Sequence, residues 1–258
     1  MTFLEQITPL ILTYNEEVNI DRVLQKLTWA KDILILDSFS TDNTLDIVSH
    51  YPQCRVVQRT FDTFADQCNA GLELIQSEWV LSLDADYVLS DELLQDLRAI
   101  PDRPPVDSYT VPFKYCVFGY PLRGDNLTPR TVLYRRDQAH YVNDGHAHKV
   151  QIQGTGQTLA SWIYHDDRKS LQRWLWSQDR YLTIEADKLR QTPRSQLDLR
   201  DKIRTLRFLA PLLVFIYCLF YKGVIFDGWQ GWYYASQRMF VELLLSIKLL
   251  DTDLRTYK

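Results

Sequence analysis

The sequence predicts an α/β domain with a mostly parallel sheet flanked by helices, followed by a helical, amphipathic C-terminal extension. Three observations predict it. Short apolar runs alternate with helical apolar stripes through about the first hundred residues. Polar clusters close several of those runs. The alternation stops at Pro101-Asp102-Arg103-Pro104-Pro105, a proline density that marks a loop, and basic and apolar helical stretches appear only after residue 167.

The elements follow in order. Ile7 to Thr13 is an apolar run with Pro9 near its start, where a strand tolerates proline. Tyr14-Asn15-Glu16-Glu17 ends it. Ile20, Val23, Leu24 and Leu27 recur at helical spacing. Ile33 to Leu36 is a second strand, closed by Asp37-Ser38. Ser40-Thr41-Asp42 offers an N-cap and a first-turn acid for a helix carrying Leu45, Ile47 and Val48 inward. Arg55 to Gln58 is a third strand, and Phe64, Cys68, Leu72 and Ile75 form the next helical stripe. Trp79 to Asp84 is a fourth strand. Ser90 caps a helix whose apolar side is Leu93, Leu94, Leu97 and Ile100. Beyond the prolines, extended pieces are expected at Tyr109–Phe113, Thr131–Tyr134, Val150–Gln153 and Leu159–Tyr164.

The most informative stretch is Leu83-Asp84-Ala85-Asp86. Strand alternation sends residues i and i+2 to one side, so the two carboxylates can converge where the strand ends. Alone, such a pair is an acidic turn. In a parallel sheet, however, ligands sit beyond the carboxyl ends of the strands. Thr13-Asn15-Glu16, Asp37 and Asp84-Asp86 should then share one crevice. Paired carboxylates there suit a hard divalent cation, Mg²⁺ or Mn²⁺, bridged to phosphates.

Four ordered segments carry a family resemblance: Thr13-Tyr14-Asn15-Glu16-Glu17, Leu36 to Thr44, Phe64 to Asn69, and Leu83-Asp84-Ala85-Asp86. Together they resemble the family 2 glycosyltransferases, most nearly the lipopolysaccharide-core β-glucosyltransferase-like branch. The resemblance is strongest over residues 7–100 and looser to about residue 250. It implies a GT-A fold, a nucleotide-diphosphosugar donor (a UDP-sugar), a divalent metal and inversion at the anomeric carbon. It also implies residue roles. Thr13, Asn15 and Glu16 would hold the nucleoside, and Asp37 would accept from the base. Asp84 would lie near the ribose, and Gln67 and Asn69 would touch donor ribose or sugar. Asp86 would bind the metal. Two positions depart from the family: Phe39 stands where glycine is common, and Tyr87 where glutamate often follows. Tyr87 could pack on a ring or cover the core.

The second half supplies candidates for a base. Four of the five histidines, His140, His146, His148 and His165, fall within 26 residues. A zinc site is disfavoured, since there is neither His-Glu-x-x-His nor a cysteine pair. The family commonly places His-Glu-His near here, but this chain has His146-Ala147-His148. An inverting transferase needs a base for the acceptor hydroxyl. Asp144 is the first candidate and His146 the second, with Asp166 and Asp167 behind them. His165 sits where an added metal ligand is plausible in this fold, or it only bonds backbone. Arg123, Asp125 and Asn126 belong to a Gly-, Pro- and charge-rich insert that could line the acceptor side or be a solvated loop.

Charge is uneven. Residues 1–107 hold 19 acids and 7 bases, and the rest hold 14 acids and 22 bases. No nucleic-acid motif accompanies the basic part, so nucleic acid is not expected as a partner. Phe208 to Tyr221 is fourteen apolar or aromatic residues, short of the roughly twenty that span a bilayer. Trp229, Trp232, Tyr233 and Tyr234 follow, then a stripe at Phe240, Leu243, Leu244 and Ile247. Basic residues beside aromatics and apolar helices point to an anionic membrane surface. A helical bundle packed on the catalytic domain is the alternative. The four cysteines, Cys54, Cys68, Cys116 and Cys218, have no paired spacing, and the start lacks a signal-peptide pattern. A cytoplasmic enzyme, peripheral to the inner face of the membrane, is the expectation. Residues 1–167 would form the catalytic domain, with 1–105 binding the nucleotide sugar and 106–167 on the acceptor side. Residues 168–258 would be helical and membrane-associated, and the acceptor a glycan or a lipid-linked sugar. Two rivals remain. A sugar nucleotidylyltransferase would need a Gly-rich basic N-terminal loop, and Ile7 to Glu17 has neither glycine nor base. A non-catalytic membrane adaptor is the other.

Overall fold

The structure, a computed structural model, describes residues 2–125, 127–144 and 147–256. The strands are β1 (Ile7–Thr13), β2 (Ile33–Asp37), β3 (Cys54–Gln58), β4 (Trp79–Asp84), β5 (Tyr87–Leu89), β6 (Ser108–Val111), β7 (Phe113–Val117), β8 (Tyr120–Pro121), β9 (Arg130–Arg135), β10 (Ala139–Asp144), β11 (Ala147–Ile152), β12 (Gly156–Thr158) and β13 (Ile163–His165). The helices are α1 (Ile20–Gln25), α2 (Thr44–Ser49), α3 (Phe64–Leu74), α4 (Asp91–Ala99), α5 (Leu171–Gln191), α6 (Leu199–Arg204), α7 (Leu209–Ile216) and α8 (Gly228–Thr256). Two compact units result: residues 1–119 with 127–169, and residues 120–126 with 170–258.

In the first unit the main sheet runs β12-β6-β9-β4-β1-β2-β3. β4, β1, β2 and β3 are parallel, and β9 is antiparallel to β4. β1 and β2 are buried almost throughout, because helices cover both faces and leave no solvated side to alternate with. Edge strand β3 has no such cover and is half exposed. The chain moves outward from β1 to β3, then returns to β1's other side at β4. That reversal opens a crevice at the carboxyl ends of β1 and β4. Along its rim the register sets Thr13 beside Asp37 and Leu12 beside Asp84.

The caps explain the helix starts. Thr63 Oγ1 accepts the Asp66 N–H at 3.1 Å, and Ser90 Oγ accepts the Leu93 N–H at 3.0 Å. Leu24, Leu27, Ile33, Ile35, Trp79 and Leu93 share one core cluster under the sheet. Phe3 meets Trp79 edge-on at 5.0 Å, closing its end.

The second half differs in detail from the expected extended pieces. Leu159 to Tyr164 is not one strand. β12 precedes Leu159 and pairs β6, while β13 pairs β5 and β7, so this segment passes from one sheet to another. β10 and β11 form a hairpin whose last paired residues are Asp144 and Ala147.

In the second unit, α5 and α8 bury Leu182, Ala186, Leu189, Val241, Leu245 and Leu249. Arg204 lies between Glu185 at 2.6 Å and Glu242 at 3.1 Å, neutralising both carboxylates where they are buried. Among the described residues no single helix is long and apolar enough to cross a membrane. Leu209–Tyr221 and Val224–Arg255 together reach that length and composition, but with a 74° bend between them.

Candidate active site at the strand ends

Asp37 is the first fixed point. It ends β2 and is fully buried. A bare carboxylate there would be costly, and four donors offset that. Thr13 Oγ1 donates at 2.9 Å, the Ser40 N–H at 2.9 Å, Ser40 Oγ at 2.5 Å and Gln58 Nε2 at 3.1 Å. Ser40 Oγ also accepts the Asn15 N–H at 2.9 Å, and Asn15 Oδ1 accepts the Thr41 N–H at 2.8 Å. The loops after β1 and β2 are thereby tied together. Both turn through left-handed backbone: Asn15 has φ 56° and Phe39 φ 61°. Asparagine tolerates this, but phenylalanine does so at a cost of roughly 1–2 kcal/mol. Phe39 thus takes the glycine-like conformation without being glycine.

Asp86 is the second. It follows β4, and the Asp166 N–H donates to its main-chain carbonyl at 3.1 Å. That bond brings the residues after β13 against those after β4. His165 Nε2 lies 3.2 Å from Asp86 Oδ2. Burial pushes the Asp86 carboxyl up, but His165 and then Lys169 outweigh it, and the net direction is down. Burial works against charge on His165 as well, and the Asp86 carboxylate reverses that, so its imidazole is raised. Two buried atoms here have no hydrogen-bond partner: Asp86 Oδ1 and His165 Nδ1. A buried polar atom without a partner is uncommon, and a bound ion or water is one way to satisfy it.

A band of charge surrounds the pair. Lys169 Nζ sits 2.7 Å from Glu16 Oε1 and 3.7 Å from Asp167 Oδ1. Burial lifts the Glu16 carboxyl to about 7, with Lys169 opposing and Asp86 adding to the rise. Asn19 Nδ2 bridges Glu16 at 3.0 Å and Asp167 at 3.1 Å. Asp166 is held by Arg22 at 2.5 Å, by Arg168 at 2.7 Å and by the Gly119 N–H at 3.0 Å. With its oxygens so engaged, Asp166 is a bracing group rather than a free base.

Asp84 ends β4, half-buried, with the Tyr87 hydroxyl in hydrogen-bond reach. Arg130 Nη1 donates to that hydroxyl at 2.6 Å. Burial first, and Asp84 second, raise the Tyr87 phenol. Its ring meets Phe113 at 4.8 Å and His165 at 5.3 Å, so Tyr87 covers the core and steadies the site at once.

The family model for glycosyl transferase family 2 matches residues 10–153, more than half of the chain.

The chain belongs to glycosyl transferase family 2.

This transferase is similar to the lipopolysaccharide core biosynthesis glycosyltransferase LpsC of Rhizobium meliloti (strain 1021), at 24% identity over 93% of this chain and 90% of that one. It is also similar to glycosyltransferase SunS of Bacillus phage SPbeta, at 34% identity over 32% of this chain and 20% of the relative. Among solved structures it resembles S. aureus TarS 1-349 in complex with UDP-GlcNAc, with TM-score 0.49 and 17% identity over 83% of this chain and 73% of that one. Another is glucosyl-3-phosphoglycerate synthase from Mycobacterium tuberculosis with Mn²⁺, UDP and phosphoglyceric acid, with TM-score 0.46 and 14% identity over 75% and 81%. The parallel sheet with its crevice at β1 and β4 is the GT-A arrangement that membership implies.

The transferase brings Thr13, Asn15, Glu16, Asp37, Asp84, Asp86 and His165 to the strand-end side of the sheet. Gln67 reaches the loop after β2: its Nε2 donates to Ser38 Oγ at 3.1 Å and its Oε1 accepts from Arg59 at 3.0 Å. Asn69 is not brought there. Its amide clamps β10 instead, donating to the Tyr141 carbonyl at 3.0 Å and accepting the Tyr141 N–H at 2.9 Å. Asp144 closes β10, but its side chain lies outside the described residues, as do His146 and Asn126. Lys169, Asn19 and Arg22 have no site role in the sequence reading, and Ser40 stands there only as a cap residue. Only the run His165-Asp166-Asp167-Arg168-Lys169 hints at the first, as two acids followed by two bases.

Proposed function

We propose that the protein transfers a sugar, with inversion, from a nucleotide-diphosphosugar to a glycan or lipid-linked acceptor of the cell envelope. The observation that carries this reading is the Asp86–His165 pair, 3.2 Å apart and each with a buried unpartnered atom beside the β1/β4 crevice. Among the described residues no three side chains form a ready metal cluster. One carboxylate and one imidazole nevertheless fit a Mn²⁺ or Mg²⁺ that takes its remaining ligands from a diphosphate and water. Such an ion, when bound, would neutralise the diphosphate as it leaves. Lys169 and Arg22 temper the acidic cluster, so that donor phosphates and ion can share it. Thr13 and Asn15 would hold the loop around a uracil nucleoside, and Asp37, its oxygens taken by four donors, would brace that loop instead of accepting from the base. Asp84, steadied by Tyr87, would face the ribose. The likeness to a lipopolysaccharide-core enzyme over nearly the whole chain supports an envelope acceptor.

Inversion requires a base on the side of the sugar opposite the diphosphate. Asp144, at the end of β10, is the proposed base, and His146 the second choice. The chemistry would be carried by residues 1–119 and 127–169, which include Arg168 and Lys169 beyond the boundary at 167 that the sequence suggests, and residues 170–258 would hold the enzyme to an anionic membrane surface at the cytoplasmic face.

The test is nucleotide release with purified protein and a panel of UDP-sugars, with Mn²⁺ or with chelator, followed by the anomeric configuration of the product. Asp86→Ala should lower metal-dependent turnover on the order of a thousandfold while the protein stays folded. A retained configuration, or full activity in chelator, would overturn the reading.

A further inference from the structure

We propose that residues 208–233 form a preformed wedge that lies in the plane of a lipid bilayer and buries its apolar face among the acyl chains. The inference rests on the membrane reading above but asks for more than charge attraction.

The wedge is built from α7, a π-helical turn at Tyr217–Tyr221, a 3-10 turn at Val224–Asp227 and the start of α8. Its burial is inverted. Ala210, Pro211 and Cys218 point inward, while Leu209, Leu212, Ile216 and Phe220 recur at helical spacing on the exposed side. Leu212 is 56% exposed, Phe220 65% and Phe226 72%. A soluble surface scatters such residues singly, whereas a continuous stripe marks an interaction face.

Charge and length choose the partner. From Phe208 to Val241 the sole carboxylate is Asp227, and it is buried. The Arg123 N–H donates to it at 3.0 Å and the Arg123 guanidinium lies 3.3 Å away. Within residues 208–241 no exposed acid opposes lipid phosphate, while Lys222 sits at the bend. Trp229 and Trp232 stand half-exposed at the start of α8, amphipathic rings of the kind that settle at headgroup level. Leu209–Tyr221 is about 20 Å long as a helix, against an apolar layer of about 30 Å, so it lies in the layer instead of crossing it.

The shape is locked. Gly223 has φ 73° and Gly228 φ 61°, which place the turn between the helices. A Cβ on Gly231 would collide with the Val224 carbonyl, and one on Gly124 with that of Lys222. The bend is thus present before any lipid arrives, and little ordering entropy opposes insertion.

The experiment uses the full-length protein floated with vesicles of phosphatidylcholine alone, or of phosphatidylcholine with phosphatidylglycerol, at low and high salt. Insertion predicts binding to both compositions, with a fraction that survives high salt. The triple variant Leu212→Ser/Phe220→Ser/Phe226→Ser should lose partitioning on the order of a hundredfold, since each position removes buried apolar area. Its donor turnover in solution should match the parent, which shows that it is folded. A fluorophore on Phe220→Cys should be quenched by acyl-chain-brominated lipid. Binding to anionic vesicles alone, fully released by salt and unchanged in the triple variant, overturns insertion and leaves the electrostatic reading standing. Indifference to all vesicles overturns both. A parent that is dimeric, with a monomeric triple variant and no vesicle binding, makes the face a contact between copies and also overturns the proposal.

Discussion

At the strand ends, polar side chains are buried: Thr13, Asp37, Gln67 and Asp86 lie beneath the surface, braced by Ser40, Gln58, Arg59 and His165. In residues 208–233 large apolar side chains are exposed, from Leu209 to Trp232. The two regions depart from the inside–outside rule in opposite senses, as functional sites do. The reading proposed for the crevice gives it a polar, ionic donor, and the one proposed for the wedge an apolar layer. The core of the first unit, around Leu24, Ile35 and Leu83, follows the rule throughout.

The sharpest way to break that comparison is at the hairpin end. Asp144→Asn keeps shape and removes basicity, so transfer should fall roughly a hundredfold to ten-thousandfold with donor binding intact. Normal transfer by Asp144→Asn alongside a dead His146→Ala would move the role to the histidine. Rate and donor affinity, measured separately, distinguish the cases.

Paired stability measurements contrast core and wedge directly. Leu24→Ala, at a fully buried site, should destabilise by roughly 2–5 kcal/mol in denaturant melts. Phe220→Ser, at an exposed site of similar apolar bulk, should change stability by less than about 0.5 kcal/mol. Similar losses at both sites would mean that the wedge packs as ordinary core.

Asn69→Ala separates a bracing role from donor contact. With both amide atoms engaged by the Tyr141 backbone, the variant should lose roughly 1–3 kcal/mol of stability by leaving buried backbone unpaired. Its KM for donor should stay within about twofold at a temperature where it is folded. A large rise in KM without loss of stability would place Asn69 at the donor after all.

The smallest effect is expected at Phe39. Phe39→Gly relieves a left-handed φ but loosens the unfolded chain, so a net gain of about 1 kcal/mol or less is expected from thermal melts. Destabilisation instead would show that the half-exposed ring contributes packing to the loop.

Much of this was legible along the chain because it is local. The apolar runs at Ile7, Ile33 and Trp79 have one stable environment, a sheet covered on both faces, and the intervening helical stripes supply the cover. The side on which Asp37 and Asp84-Asp86 emerge follows from parallel order. The stripe at Leu209 to Phe220 was legible as apolar, and the fourteen residues from Phe208 to Tyr221 fall short of the roughly twenty of a spanning helix. What depends on distant residues was not. Lys169 reaches Glu16 across 153 positions of chain, and Asp166 grips Arg22 across 144, because β13 enters beside β5 and β7. Asn69 turns to Tyr141 because α3 packs on β10, a neighbour no local pattern announces. Whether the apolar stripe faced inward or outward was likewise decided by packing. Periodicity gives a helix one apolar face, but only the three-dimensional arrangement determines whether another surface is there to cover it.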